Sequence, residues 1–101
     1  MDYSDIDLKT LKRAVNAILD HLIEDLHVEK VAIEEKEDFY WDCPAPEIYD
    51  SSKQPVQLDA GRLSDDVGFI EAVDRGQSRD VSYNLVHIAS ILRYVGEKVK
   101  R

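Results

Sequence analysis

Cysteine is all but missing from this chain of 101 residues: Cys43 is the single one. No internal disulfide can form, and a reducing compartment is expected. Long apolar runs are missing too, and none approaches the roughly 20 residues that a membrane-crossing helix needs. The opening residues Met1-Asp2-Tyr3-Ser4-Asp5 are acidic, with no basic region followed by an apolar stretch, which predicts a chain without a secretory leader. The expectation is a cytoplasmic protein with no membrane partner. Glycine is scarce, with four residues, and no glycine-rich phosphate loop, Gly-x-Ser-x-Gly elbow or Cys-x-x-Cys pair occurs. Positive charge is the minority, 13 Lys and Arg against 21 Asp and Glu for a net of −8. Such a surface releases no counterions from phosphates, so nucleic acid is excluded as an expected partner.

What is present is the composition of a folded globular protein, 44% hydrophobic and 34% charged. Its length supports a core without disulfides or metal, and a single domain over residues 1–101 is expected. The charge imbalance is local. Between Asp20 and Asp50, eleven acidic residues face two basic ones, Lys30 and Lys36, an excess that accounts for the net charge of the whole chain. The same stretch holds Asp38-Phe39-Tyr40-Trp41-Asp42-Cys43-Pro44, three consecutive aromatics with the only Trp. Carboxylates around aromatic rings fit a surface that meets a basic partner, the charges steering and the rings anchoring.

Periodicity predicts an α+β fold in which helices dominate, near half of the residues. Leu8, Leu11, Val15, Ile18 and Leu22 make the stripe of a long amphipathic helix over about residues 5 to 26. Ser4 is its expected cap, with Asp5 and Asp7 favoured by the helix dipole. Val31-Ala32-Ile33 and Phe39-Tyr40-Trp41 are β-prone and predict a small hairpin turning at Glu34 to Asp38. An irregular crossing follows from Glu47 to Ala60, with a short strand at Val56 to Leu58. A short helix then carries Leu63, Val67, Ile70 and Val73, capped by Ser64 and stopped by Gly76. The final long helix starts near Asp80 and carries Val81, Leu85, Ile88, Leu92 and Val95.

Alternation within the hairpin puts Phe39, Trp41 and Cys43 on one face and Tyr40 and Asp42 on the other. The plainer reading makes Phe39 and Trp41 core residues; the functional one makes them a partly exposed anchor in an acidic rim. The candidate partner-binding set is Glu34, Glu35, Glu37, Asp38, Tyr40, Trp41, Asp42 and Tyr49. Cys43 lies among negative charges, which raise a thiol's pKa and disfavour a nucleophile. His21, Glu24, Asp25 and His27 read as a solvated helix end, and no metal ligand or cofactor is assigned. Tyr83, His87, Ser90 and Tyr94 form a polar stripe on the last helix, the wet margin of its packing or the lining of a pocket.

Several blocks resemble a group of small bacterial proteins of unknown function. They are Asp38-Phe39-Tyr40-Trp41, then Pro44, then Ile48-Tyr49-Asp50, then Leu63-Ser64-Asp65-Asp66, and finally Ile91 to Val99. The similarity runs over roughly residues 15 to 99. It departs at Val67-Gly68, where an aromatic is expected, and at Val86-His87, where a bulky aromatic is usual. The resemblance implies a bacterial cytoplasmic domain and no catalytic role. The expected function is a protein-interaction module for a basic protein, in one version an immunity or antitoxin-like cover for a toxin. A homo-oligomeric assembly protein, a homodimer in the simplest case, is the alternative. A small enzyme using His87 as base, with Tyr83 or Tyr94 as acid and Asp65 or Asp66 as orienting carboxylate, is the remote third.

Overall fold

The first helix begins at a carboxylate. Asp7 has extended backbone, and its Oδ2 accepts from Thr10 N at 3.1 Å and from the Thr10 hydroxyl. These bonds, the hydroxyl's foremost, hold the Asp7 carboxyl below its usual pKa range and satisfy a backbone donor that the first turn leaves unpaired. Helix α1 (Leu8–Asp20) follows and widens into a π-helical turn over His21–Asp25. Ser4, the expected cap, lies outside the residues that this computed structural model describes, which are 5–42, 48–52, 54 and 59–100. The turn ends with Leu26 N donating to His21 O and Val28 N to Leu22 O, and His27 takes a positive φ of 56°. His21 and Asp25 pair across it at 2.6 Å, both exposed. These elements belong to the first of two compact units, Met1–Val31; the rest belong to the second, Ala32–Arg101.

In the second unit a 3-10 turn, Glu35–Glu37, leads into strand β1 (Phe39–Asp42). Its partner is β2 (Asp59–Arg62), antiparallel, with Phe39 opposite Arg62, Tyr40 opposite Gly61 and Trp41 opposite Ala60. The expected hairpin is therefore corrected: Phe39 to Trp41 is a strand, but Val31 to Ile33 is not its partner. Glu37 N donates to Glu34 O at 2.9 Å, so the residues expected to turn a hairpin coil into helical geometry instead. The true partner, Asp-Ala-Gly-Arg, has no β-branched or aromatic residue to announce it. The strand expected at Val56 to Leu58 falls outside the described residues.

Helix α2 (Leu63–Asp74) grows directly out of β2, and its cap is not the expected Ser64. Asp38, far away in sequence, accepts from Ser64 N at 2.7 Å through Oδ1 and from the Ser64 hydroxyl at 2.9 Å through Oδ2. Arg62 adds its guanidinium at 3.1 Å, and Leu63 N donates to the Asp38 carbonyl at 2.8 Å. The start of one strand thus closes the start of the helix that follows the other. Led by the Ser64 backbone bond, these contacts hold the Asp38 carboxyl below its usual range. Gly76, at φ 72°, ends the helix as expected, with Gln77 N donating back to Ala72 O. Helix α3 (Val81–Lys98) starts at Asp80, whose carboxylate accepts from Tyr83 N at 3.1 Å.

α2 packs against α3, with β2 joining α2 and the sheet alongside. Helices make up 60% of the described residues beside one antiparallel strand pair, a mainly helical α+β fold. No helix among the described residues is long and apolar enough to cross a membrane. Among those residues the buried set is Leu63 with Asp38, Asp66 and Asn84, more polar than apolar. Gly61 matters to this arrangement. A Cβ there would lie 2.6 Å from the Tyr40 hydroxyl and ring, so the absence of a side chain lets the ring cross the sheet. Gly61→Ala should cost about 1–3 kcal/mol by forcing that ring aside, read as a fall in the urea midpoint; an unchanged midpoint would show that the ring relocates freely.

Candidate functional site

Asp66 sits in the first turn of α2 with 1% of its surface exposed, and three side chains from two elements converge on it. From β1, the Tyr40 hydroxyl donates to Oδ2 at 2.7 Å. From α3, the Ser90 hydroxyl donates to Oδ2 and His87 Nδ1 lies 2.5 Å from Oδ1. A carboxylate only accepts, so Nδ1 is the protonated nitrogen of that imidazole. The His87 ring is wedged between Tyr83, 4.2 Å away between centroids, and Phe69, 4.7 Å away. Burial, and then the bond to Asp66, push the Tyr40 phenol up to about 12.

One turn further along α3 lies a second network. The Tyr94 hydroxyl donates to Glu37 Oε1 at 3.0 Å and accepts from Glu34 N at 3.2 Å. Lys98 Nζ pairs with Glu37 at 2.5 Å and Glu34 at 3.5 Å, and stands 5.5 Å from the Tyr94 ring centroid. The bond between Lys98 and Glu37 is the main reason that the ammonium's pKa is raised and the carboxyl's is lowered. Between these residues and β1 opens a cleft of about 510 Å³, lined by Phe39, Tyr40, Leu63, Ser90, Tyr94 and Glu97 among others. The polar stripe of α3 is therefore divided. Ser90 and Tyr94 face the cleft, whereas Tyr83 and His87 stack on Phe69.

The strand's alternation is opposite to the plainer expectation. Tyr40 and Asp42 are half-buried, while Phe39 is 64% and Trp41 75% exposed. Tyr40 is the residue of this strand whose side chain donates to the buried Asp66, so its face turns inward and its neighbours turn out. Phe39 lies under the Arg62 guanidinium, 5.2 Å from its centroid. Of the other candidates, Glu34 and Glu35 are exposed and share a shallow groove with Lys36 and Phe39. Glu37 faces Lys98, and Tyr49 is 84% exposed. Asp38 and Tyr40 have partners within the unit, Asp38 as the cap of α2 and Tyr40 as a donor to Asp66. Phe39, left out of the candidate set, belongs on the outer face. Asp66 was named only as one of two carboxylates that could orient His87, and the structure does pair the two. Its burial was not foreseen, because an acid in a helix's first turn reads as a dipole complement. The donors Ser90 and His87 on the last helix were the signal that a buried acceptor must exist.

No family model, no curated protein and no solved structure matches this chain. The functional reading rests on the geometry alone.

The cluster generates two expectations. Asp66→Ala leaves the Tyr40 hydroxyl and His87 Nδ1 without their acceptor, whereas the Ser90 hydroxyl keeps the His87 carbonyl at 2.7 Å. The loss should be about 2–4 kcal/mol, measured by denaturant unfolding, and a loss under about 1 kcal/mol would mean that the donors find water instead. Tyr40 should be the late-ionising tyrosine. Its folded pKa lies above the ordinary value, so the stability that it contributes is complete below about pH 10 and disappears as pH rises through about 12. Absorbance titration should show that late step in the native protein and lose it in Tyr40→Phe.

Proposed function

We propose that the chain is a protein-binding module whose contact is the outer face of β1, directed at a basic partner. The observation that carries this is the exposure of Phe39 and Trp41 on a strand whose other face is committed to the interior. Large exposed rings, here with Phe39 at the border of a groove, are what interface hot spots are made of. Glu34 and Glu35 beside Phe39 supply the charge that steers a basic surface. The exposed Tyr49 completes the contact set, while Asp42 lies on the Tyr40 side at the end of the strand. An immunity or antitoxin-like protein that covers the basic face of a toxin is the concrete version, placed in the cytoplasm on the strength of the lone thiol. His87 is read as structural, which the Asp66 bond and the flanking rings support.

Self-association is the second reading. It rests on α1, an amphipathic helix with no buried residue.

The test is to look for a basic toxin-like protein encoded immediately upstream of this chain's gene, and to titrate the chain with it. Phe39→Ala and Trp41→Ala should each weaken binding about thirtyfold or more, the range of a hot spot above 2 kcal/mol. The association rate should fall steeply from about 50 to about 500 mM salt. Affinity unchanged in both variants, or a rate indifferent to salt, would overturn the proposal. Light scattering at twice 11.6 kDa would favour self-association.

A further inference from the structure

The strand register fixes which backbone groups face outward. Leu63 N donates to Asp38 O, and these residues oppose one another if the register is carried one step beyond Phe39 and Arg62. They occupy a bonded position of the antiparallel ladder. Stepping by two makes Tyr40 opposite Gly61, and Asp42 opposite Asp59, bonded positions as well. Phe39 and Trp41 stand at the alternate positions, where N–H and C=O point away from β2. Among the described residues the sheet has two strands, and within them that side of β1 is a sheet edge. Among the described residues no hydrogen bond engages the backbone of Phe39 or Trp41 outside the sheet. The exposed rings and the open backbone groups therefore belong to the same two residues.

We infer, resting on the protein-binding reading above, that this edge captures an extended basic segment of the partner by strand addition. An added strand bonds the outward groups of Phe39 and Trp41, and its side chains alternate between two sides. Apolar residues fit the cleft beside Tyr40, Leu63 and Tyr94, and basic ones fit the groove of Glu34 and Glu35. Two of the three cleft aromatics already hold a cation of this chain, Phe39 the Arg62 guanidinium and Tyr94 the Lys98 ammonium. Arg93 also lines the cleft, which directs the basic residues of the segment to the glutamate side. The edge of β2 offers far less, because its outward positions are Ala60 and Arg62.

The probe is a fluorescently labelled peptide alternating Lys and Val over seven residues, beside a control with Glu in place of Lys. Trp41→Ala removes the ring and keeps the outward N–H; Trp41→Pro removes both, yet takes no bond from the ladder. Trp41→Pro should bind the Lys peptide about tenfold more weakly than Trp41→Ala. In the unmodified protein, the peptide should slow amide hydrogen exchange at Phe39 and Trp41 and leave Tyr40, already in the ladder, unchanged. The exchange measurement stands even if Trp41→Pro does not fold. Equal affinity of the two variants, with exchange at both amides unaffected, would overturn strand addition while leaving a side-chain contact with a basic partner intact. A Glu peptide that binds as well as the Lys peptide would remove the basic-partner reading itself. Absence of binding by either peptide would overturn strand addition, and so would a dimer in which both amides are protected before any peptide is added.

Discussion

The Asp66 carboxylate is the constraint on which the second unit depends. Its side chain is fixed by a donor from β1 and two from α3, and its own backbone opens α2. Buried apolar area does little to specify this unit, since Leu63 is the buried apolar residue among those described. A buried carboxylate adds little net stability, because desolvation opposes each bond that it makes. What it does impose is selectivity among packings: any arrangement that pulls a donor away leaves a charge in a poor solvent. The strand, the short helix and the long helix are held in one mutual orientation for that reason.

From this the outer surface follows. Side chains on a strand alternate, so fixing Tyr40 inward fixes Phe39 and Trp41 outward. The inward fix is doubled, because the ring crosses Gly61 and no bulkier residue fits opposite it. Asp38 adds a second anchor one residue before the strand, tying it to Ser64 and Arg62. The proposed contact is thus presented by a backbone held at both Asp38 and Tyr40. Rings held in this way lose little conformational freedom when a partner covers them, which is the condition under which aromatic anchors contribute most.

Much of the fold was legible in the chain. The apolar stripes placed all three helices, and Gly76 and Asp80 marked the end of one and the start of the next. The hairpin failed for a physical reason: β2 is Asp-Ala-Gly-Arg, whose pairing is set by a capping aspartate and a ring packed over glycine. Both are long-range contacts with no local signature. The capping of α2 failed likewise, because Ser64 has the chemistry of a cap, yet here its hydroxyl donates to Asp38. Glu34 and Glu35 were recognisable as surface from their charge, whereas Trp41 read more plainly as core and is 75% exposed. The destinations of Tyr40 and Asp38 were not recognisable, since they lie 26 residues along the chain in both cases.

The acidity that draws attention in the sequence divides into two populations with different work. Asp38 and Glu37 are matched internally, by the Ser64 donors with Arg62 and by Lys98 with the Tyr94 hydroxyl. Their negative charge is largely cancelled where it stands, and it contributes little to a long-range field. Glu35 has no such partner among the described residues and lies in the groove beside Phe39; Glu34 shares Lys98 only at 3.5 Å and is half-exposed. Two carboxylates of the acidic stretch are therefore largely cancelled, and Glu34 and Glu35 act next to the exposed ring. Proximity matters here because screening at physiological salt limits useful steering to about 8 Å. A charge adjacent to the anchor acts on the same encounter as the anchor, whereas one spread over the chain would raise solubility and little else.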